Sequence, residues 1–205
     1  MSSAPITAIA FDWGGVFTEN TFDSSAVHDL AARSGLSEAH IAKTYFPLMA
    51  HFEAGAFNFD TFADRFIRES GVNLSPDAVQ ETFLGAVRER ETMFRVLSSI
   101  PAHYTVGVLS NNVAVLCDAV RDDPRMARVE HFVFSNEIKV RKPNPAAFAA
   151  LTQALGRPPQ ETVFVDDNAD NIAACEALGY RGLLLESYGG FAERWQQLLP
   201  DLPLP

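Results

Sequence analysis

Asp12, Asp166 and Asp167 are the residues of this sequence best placed to do chemistry. Each stands at or just after the end of a short apolar run: Ile-Thr-Ala-Ile-Ala-Phe leads into Asp12, and Thr-Val-Phe-Val leads into Asp166-Asp167-Asn168. A third run, Thr-Val-Gly-Val-Leu, ends on Ser110-Asn111-Asn112. Buried parallel strands read as continuous aliphatic runs, and open α/β sheets bind ligands beyond the strands' carboxyl ends. Three such endings predict one site lined by carboxylates, a hydroxyl and amides. Clustered carboxylates need a cation, or some of them must hold their protons. The cation is the better reading, because Val140-Arg141-Lys142-Pro143-Asn144-Pro145 offers a lysine able to face an anionic ligand.

The elements that must position these groups are legible in outline. Residues 6–11, 105–109, 131–134, 162–165 and 181–185 read as strands. Helical segments are expected near 113–120, 145–155, 169–178 and 191–199. Repeated strand–helix units predict a parallel sheet with right-handed crossovers. Between the first two strands the pattern turns helical, with apolar residues at three- and four-residue spacing over 24–34, 37–52, 59–70 and 76–93. Gly35, Gly55 and Gly71 suit helix C-termini, and Ser75-Pro76 an N-cap and first turn. The expected fold is α/β: a Rossmann-like parallel sheet core with an inserted all-helical cap. The core is expected to comprise residues 1–17 and 96–205, and the cap residues 18–95. The stripe Phe57, Phe59, Phe62 and Phe66 reads as cap core.

Taken in order, the motifs resemble those of the haloacid dehalogenase-like (HAD) hydrolase superfamily. They are Phe11-Asp12-Trp13-Gly14-Gly15-Val16-Phe17, then Ser110-Asn111, then Lys142-Pro143, then Asp166-Asp167 with Asn171 beyond. Each alone is weak; the ordered set covers nearly the whole chain. The resemblance implies a magnesium-dependent phosphomonoester hydrolase acting on a small phosphorylated metabolite, with a sugar phosphate the leading class. Asp12 would be the nucleophile, forming an aspartyl-phosphate that water hydrolyses. The Mg2+ ligands implied are Asp12, the Gly14 carbonyl and Asp167, with Asp166 orienting metal-bound water. Ser110 and Asn111 would hold the phosphoryl oxygens, and Lys142 would neutralise them. Asn171 reads equally well as a tether for the Asp166 loop or as a solvent-facing helix residue. Arg141 lacks motif support and is expected at the surface.

One position departs from the pattern. The superfamily's usual loop carries a second aspartate two residues after the first; here that residue is Gly14. Glycine keeps the backbone carbonyl and removes the carboxyl that protonates the leaving alcohol and later activates water. Such groups contribute about 10²–10⁴-fold, so turnover is expected to depend steeply on leaving-group acidity. A branch resembling this chain, the glucose-1-phosphate phosphatase-like group, also carries glycine there. Glu19 and Asn20 are candidate flap residues, with Glu19 a possible replacement acid, and His51 and Glu53 are candidates to face the cleft. Two rival readings remain. Metal-free 2-haloacid dehalogenation is disfavoured by the paired acids Asp166-Asp167; a non-catalytic phosphometabolite-binding protein would treat Gly14 as lost catalysis.

Composition bounds the rest. The 205 residues carry 16 Lys and Arg against 26 Asp and Glu, a formal charge of −10. That charge argues against nucleic acid or an anionic membrane as a partner through a broad basic face. No run approaches membrane-spanning length, and Met1–Pro5 does not read as a leader, so a cytoplasmic protein is expected, as a monomer or homodimer. Cys117 and Cys175 are expected to be small buried thiols.

Overall fold

The computed structural model describes residues 4–19 and 22–205, without the side chain of Phe22. Asn20, named above as a flap candidate, lies outside the described residues. Five strands form one parallel sheet: β1 (Ala8–Phe11), β2 (Thr105–Ser110), β3 (His131–Phe134), β4 (Thr162–Asp166) and β5 (Arg181–Leu184), in the order β3-β2-β1-β4-β5. The chain leaves β1 to build one half of the sheet and returns to its other side with β4, so β1 sits at the switch point where α/β sheets open a crevice. Register places the chemistry there. Phe11 pairs with Val108 on one side and Val165 on the other. Asp12 and Asp166, one residue further along β1 and β4, therefore emerge side by side.

Alternation along the strands sorts the two sheet faces. Ile9, Phe11, Val106, Val108, Val163 and Val165 pack on one face with Phe191 and Trp195 of α10 (Tyr188–Leu198). Ala8, Ala10, Leu109 and Phe164 pack on the other with Phe148 and Leu151 of α8 (Pro145–Leu155) and Ile172 of α9 (Ala169–Ala177). Both cysteines are free and buried, and burial pushes each thiol up to about 12.

The inserted helices are α1 (Phe22–Ser34), α2 (Glu38–Glu53), α3 (Phe59–Ser70) and α4 (Pro76–Gly85). Ser37, Asn58 and Ser75 cap the last three through their side chains, satisfying helix N–H groups that have no intrahelical partner. The cap has its own apolar cluster, in which Tyr45, Phe52, Phe62, Phe66 and Phe83 are buried. Phe57 and Phe59, the rest of the stripe, pack against it half-buried. Val113 and Leu116, at the start of α6 (Ala114–Asp122), join this cluster from the sheet side and tie cap to core.

The helix expected over 76–93 is in fact two. It stops at Gly85, and α5 (Glu91–Ser99) starts afresh. Between them the returning chain runs beside the departing one: Thr18 pairs antiparallel with Glu89, the Glu19 N–H donates to the Arg88 carbonyl at 2.7 Å, and the Arg90 N–H to Phe17 at 2.8 Å. Two crossings lying side by side satisfy each other's backbone groups, which a continuous helix would forgo. The boundary expected at 95/96 falls inside α5, whose Met93, Phe94, Val96 and Leu97 pack in a sheet cluster; a division that follows the packing leaves α5 with the sheet. A short helix not read from the sequence, α7 (Ser135–Ile138), follows β3. Among the described residues no helix is long and apolar enough to cross a membrane.

Candidate active site

Asp12 extends β1 by one more ladder bond, its N–H donating to the Val165 carbonyl at 2.8 Å. The chain then turns sharply through Trp13-Gly14-Gly15, held by the Trp13 N–H on Asp12 Oδ1 (2.7 Å) and the Gly15 N–H on Thr18 Oγ1 (2.8 Å). Gly15 has φ +73°, and a Cβ there would collide with the Asp167 carboxylate. Glycine at 15 is thus what lets the Asp167 carboxylate lie against the nucleophile loop. Gly14 differs: a Cβ would meet nothing within 4 Å.

Lys142 is buried, its ammonium 2.9 Å from Asp12 Oδ2 and 2.6 Å from Asp166 Oδ2. Burial alone would pull its pKa down, but the two carboxylates prevail and hold it above the ordinary value. The preceding strand end locks its backbone. Asn111 accepts from the Lys142 N–H at 2.8 Å and donates through Nδ2 to the Lys142 carbonyl at 3.1 Å, and the Lys142–Pro143 peptide is cis. Asn111 thus ties the lysine loop to the end of β2 through Oδ1 and one Nδ2 hydrogen, while the residue also lines the cavity described below. Ser110 is fully buried beside it.

Asp166 is completely inside, and its two oxygens take four approaches. They come from Lys142 Nζ, from the Asn168 N–H at 2.9 Å, and from Asn171 Nδ2 at 3.1 Å to each oxygen. Asn171 is the tether of this loop and faces inward, not solvent. With its lone pairs so used, Asp166 is built to hold Lys142 in place. Asp167, half-buried, has its carboxyl raised by burial and by Asp166, against Lys142, its own N–H and Arg90.

Asp12, Asp166 and Asp167 each offer an oxygen within 4.8 Å of the others. Burial, reinforced by the other two carboxylates and opposed by Lys142, pushes Asp12 up to about 7. Three acids against one ammonium leave two formal negative charges in a buried cluster. An all-oxygen donor set of that charge suits Mg2+ or a similar hard dication, so these residues fit the metal that the motifs imply.

A cavity of about 170 Å³ opens over this cluster. Asp12, Gly14 and Asp167 form part of its wall, with Asn111, Asn112 and Val113 from the end of β2. Asn112 Nδ2 is buried without a hydrogen-bond partner, a donor that the sequence reading missed. The facing wall comes from the cap, through Asp23, Met49 and Glu53, and from Arg141. Arg141 is thus not a mere surface residue: its Nε lies 2.7 Å from Glu53 Oε2. Glu53 faces the cleft as expected, whereas His51 is exposed. Glu19 is exposed and lines a separate groove with Arg90, Thr92, Arg95 and Tyr188, which removes it as the replacement acid. The signal missed was not a local one: Glu53 and Arg141 are far apart in sequence and meet only when the cap docks.

The family model for haloacid dehalogenase-like hydrolases matches residues 6–179. Phosphatase MT3486 of Mycobacterium tuberculosis (strain CDC 1551 / Oshkosh) is 26% identical over 208 residues, covering 90% of this chain and 89% of that protein. Drimenol cyclase drtB of Aspergillus calidoustus matches at 38% over 50 residues, 24% of this chain; the match spans only 10% of that protein. Among solved structures, the HAD family enzyme bt-2542 of Bacteroides thetaiotaomicron superposes with a TM-score of 0.78 at 21% identity, over 95% of this chain and 98% of the other. That enzyme has also been solved with magnesium and inorganic phosphate. The defluorinating L-2-haloacid dehalogenase Rha0230 superposes with a TM-score of 0.63 at 24% identity, over 87% of this chain and 80% of the other. The family match spans most of the chain, and both the sheet order and the strand-end acids accord with it: the chain belongs to the haloacid dehalogenase-like hydrolases.

Proposed function

We propose that the protein is a magnesium-dependent phosphomonoester hydrolase acting on a small phosphorylated metabolite, with a sugar phosphate the leading class. The observation that carries this reading is the charge of the cluster. Among the described residues, Asp12, Asp166 and Asp167 lie together with Lys142 as the one cation shown in direct contact, an arrangement that asks for a dication and then accepts a dianionic phosphoryl group. The Mycobacterium tuberculosis relative described as a phosphatase, and the magnesium and phosphate bound by bt-2542, support the same direction. Dehalogenation of 2-haloacids is the second reading, since L-2-haloacid dehalogenases are among the structural neighbours, but three clustered acids would be poorly placed in a metal-free site.

In this reading Asp12 attacks phosphorus and carries the phosphoryl group until water releases it. Lys142 holds the Asp12 carboxylate in position and neutralises the phosphoryl oxygens, while Asp166 and Asn171 keep the ammonium in place. Asn112 Nδ2 adds a donor from the cavity wall, and Ser110 and Asn111 act through the strand end they form. Asp12, Asp167 and the Gly14 carbonyl would hold the Mg2+, with Asp166 in support; the ion supplies charge neutralisation to nucleophile and phosphoryl group alike. A cavity of about 170 Å³ supports a small metabolite as the substrate.

The test is phosphate release from a panel of phosphorylated metabolites with and without magnesium, alongside Asp12→Asn. Magnesium-dependent release, falling below about a hundredth in Asp12→Asn, is expected, because the amide keeps the shape and loses the nucleophile. Halide release from 2-haloacids, or binding without turnover, would overturn the reading.

A further inference from the structure

The nucleophile loop has no carboxyl at Gly14, yet the cavity above it is not without an acid. We propose that Glu53, delivered by the cap, is the catalytic acid and base that this loop lacks; the proposal rests on the phosphatase reading above. Glu53 is the last residue of α2 and is 5% exposed. It lines the same cavity as Asp12 and Gly14. Its position is fixed from both sides of the cleft. The Ser135 hydroxyl donates to the Glu53 carbonyl at 2.6 Å, and that hydroxyl also accepts from the Asn112 N–H at 3.0 Å. The cap acid is thereby registered against the strand end next to the phosphoryl site.

Its side chain is held but not saturated. Arg141 Nε stands 2.7 Å from Oε2, but the N–H is not aimed at the oxygen, and neither atom gains an aligned hydrogen bond. Glu53 is thus a cavity-lining carboxyl whose oxygen beside Arg141 has no aligned hydrogen bond, which leaves the group able to turn a proton toward a ligand. The neighbours explain why Glu53, rather than Asp23, suits this task. Burial raises Asp23 as well, but it accepts from the Tyr45 hydroxyl at 2.9 Å and lies in the first turn of α1, where the helix dipole works toward a charged carboxylate. Glu53 sits at the opposite, negative end of a helix, where the dipole favours the neutral acid. The groups that face Glu53 are Asp23, Tyr45, Arg141 and Asp12. Burial, then Asp23, raise its pKa to about 8 against the pull of Arg141, with Asp12 adding to the rise. A carboxyl titrating near the working pH is what proton transfer in both directions requires.

The step balances. As the Asp12 oxygen bonds to phosphorus and the bond to the leaving oxygen breaks, the Glu53 proton passes to that oxygen and leaves a carboxylate. In the second half, water gives its proton to Glu53 as its oxygen bonds to phosphorus and the Asp12–phosphorus bond breaks. Inorganic phosphate leaves, and both residues are restored. The steep leaving-group dependence expected from Gly14 alone is accordingly revised to a shallow one.

The experiment compares kcat/KM for 4-nitrophenyl phosphate and phenyl phosphate at saturating magnesium. This parameter reads only the steps up to departure of the leaving group. In the unmodified protein the two values should be close. In Glu53→Gln the ratio should rise at least about tenfold, within the range general acids supply, and the fall in rate above about pH 8 should disappear. Gly14→Asp placed in Glu53→Gln should bring the ratio back down, since position 14 has room for a side chain. If Glu53→Gln folds poorly, Glu53→Asp, which keeps an acid, should retain the pH limb. Equal losses for both esters, an unchanged ratio, or the same signature appearing in Asp23→Asn instead would overturn the assignment while leaving a phosphatase. Absence of phosphate release from any ester by the unmodified protein would overturn the phosphatase reading itself, and this proposal with it.

Discussion

Two adjacent glycines in the nucleophile loop do opposite things. Gly15 has a left-handed backbone and its α-carbon faces the Asp167 carboxylate, whereas Gly14 opens onto free space. Gly15→Ala must push Asp167 away and strain the turn. Displacing a site group by an ångström costs on the order of 10²-fold, so a loss of that size in kcat/KM is expected. Gly14→Ala should lose far less. Comparable losses in the two variants would show that the clash with Asp167 is not what constrains the loop. Lys142 is a second residue whose cost can be ordered in advance. Lys142→Ala leaves Asp12 and Asp166 facing each other with no ammonium between them. Removing one partner from a buried ionic group costs about 3–5 kcal/mol, so a lowered denaturation midpoint should accompany the loss of turnover. Turnover lost with stability intact would mean that the lysine is not holding the two acids together.

At the scale of elements, the cap stands on an aromatic cluster rather than on charge pairs. Phe62 is fully buried and its ring lies within 5.0–6.1 Å of Tyr45, Phe52, Phe59, Phe66 and Phe83. Phe62→Ala should cost about 3–5 kcal/mol, read by chemical denaturation. A change below about 1 kcal/mol would mean the cluster is loosely packed. The exposed pairs around the cap, such as Arg33 with Glu81, are worth about 0–1 kcal/mol each. The helix α2 also transmits structure to chemistry, because its C-terminal residue is the one that enters the cavity. Packing faults in the cap are therefore expected to reach the site through Glu53.

For the molecule as a whole, a formal charge of −10 and a buried acidic cluster make stability sensitive to cations and protons. Binding only to the folded state stabilises it by about 2.7 kcal/mol at a hundred times Kd. Magnesium should therefore raise Tm, a chelator should reverse the rise, and Asp167→Ala should abolish most of it. A rise of equal size in Asp167→Ala would exclude Asp167 from the ion's ligands. Protons act through Glu53. Its folded pKa, about 8, lies above the ordinary 4.5, so the folded state binds this proton more tightly. The stability it contributes is complete below about 4.5 and is lost as pH rises through about 8. Relative to Glu53→Gln, the unmodified protein should lose Tm between pH 5 and 9. A constant difference across that range would show that Glu53 titrates normally.

How much of this was legible beforehand follows from the range of each interaction. Strand identity, the Ser75-Pro76 helix start, and the order of Asp12, Lys142 and Asp166-Asp167 are carried by neighbouring residues. One sequence therefore suffices to read them. The break between α4 and α5 was not legible, because it answers to Thr18 and Phe17 on the other crossing of the chain. Nor could the sequence show that Asn111 serves the lysine loop, that Asn171 turns inward to Asp166, or that the partly exposed Arg141 reaches Glu53. The proton status of Glu53 was hidden for the same reason. Composition offers a carboxylate, but its burial and its neighbours are set when the cap closes on the sheet, and only tertiary packing decides the dielectric in which a carboxylate sits.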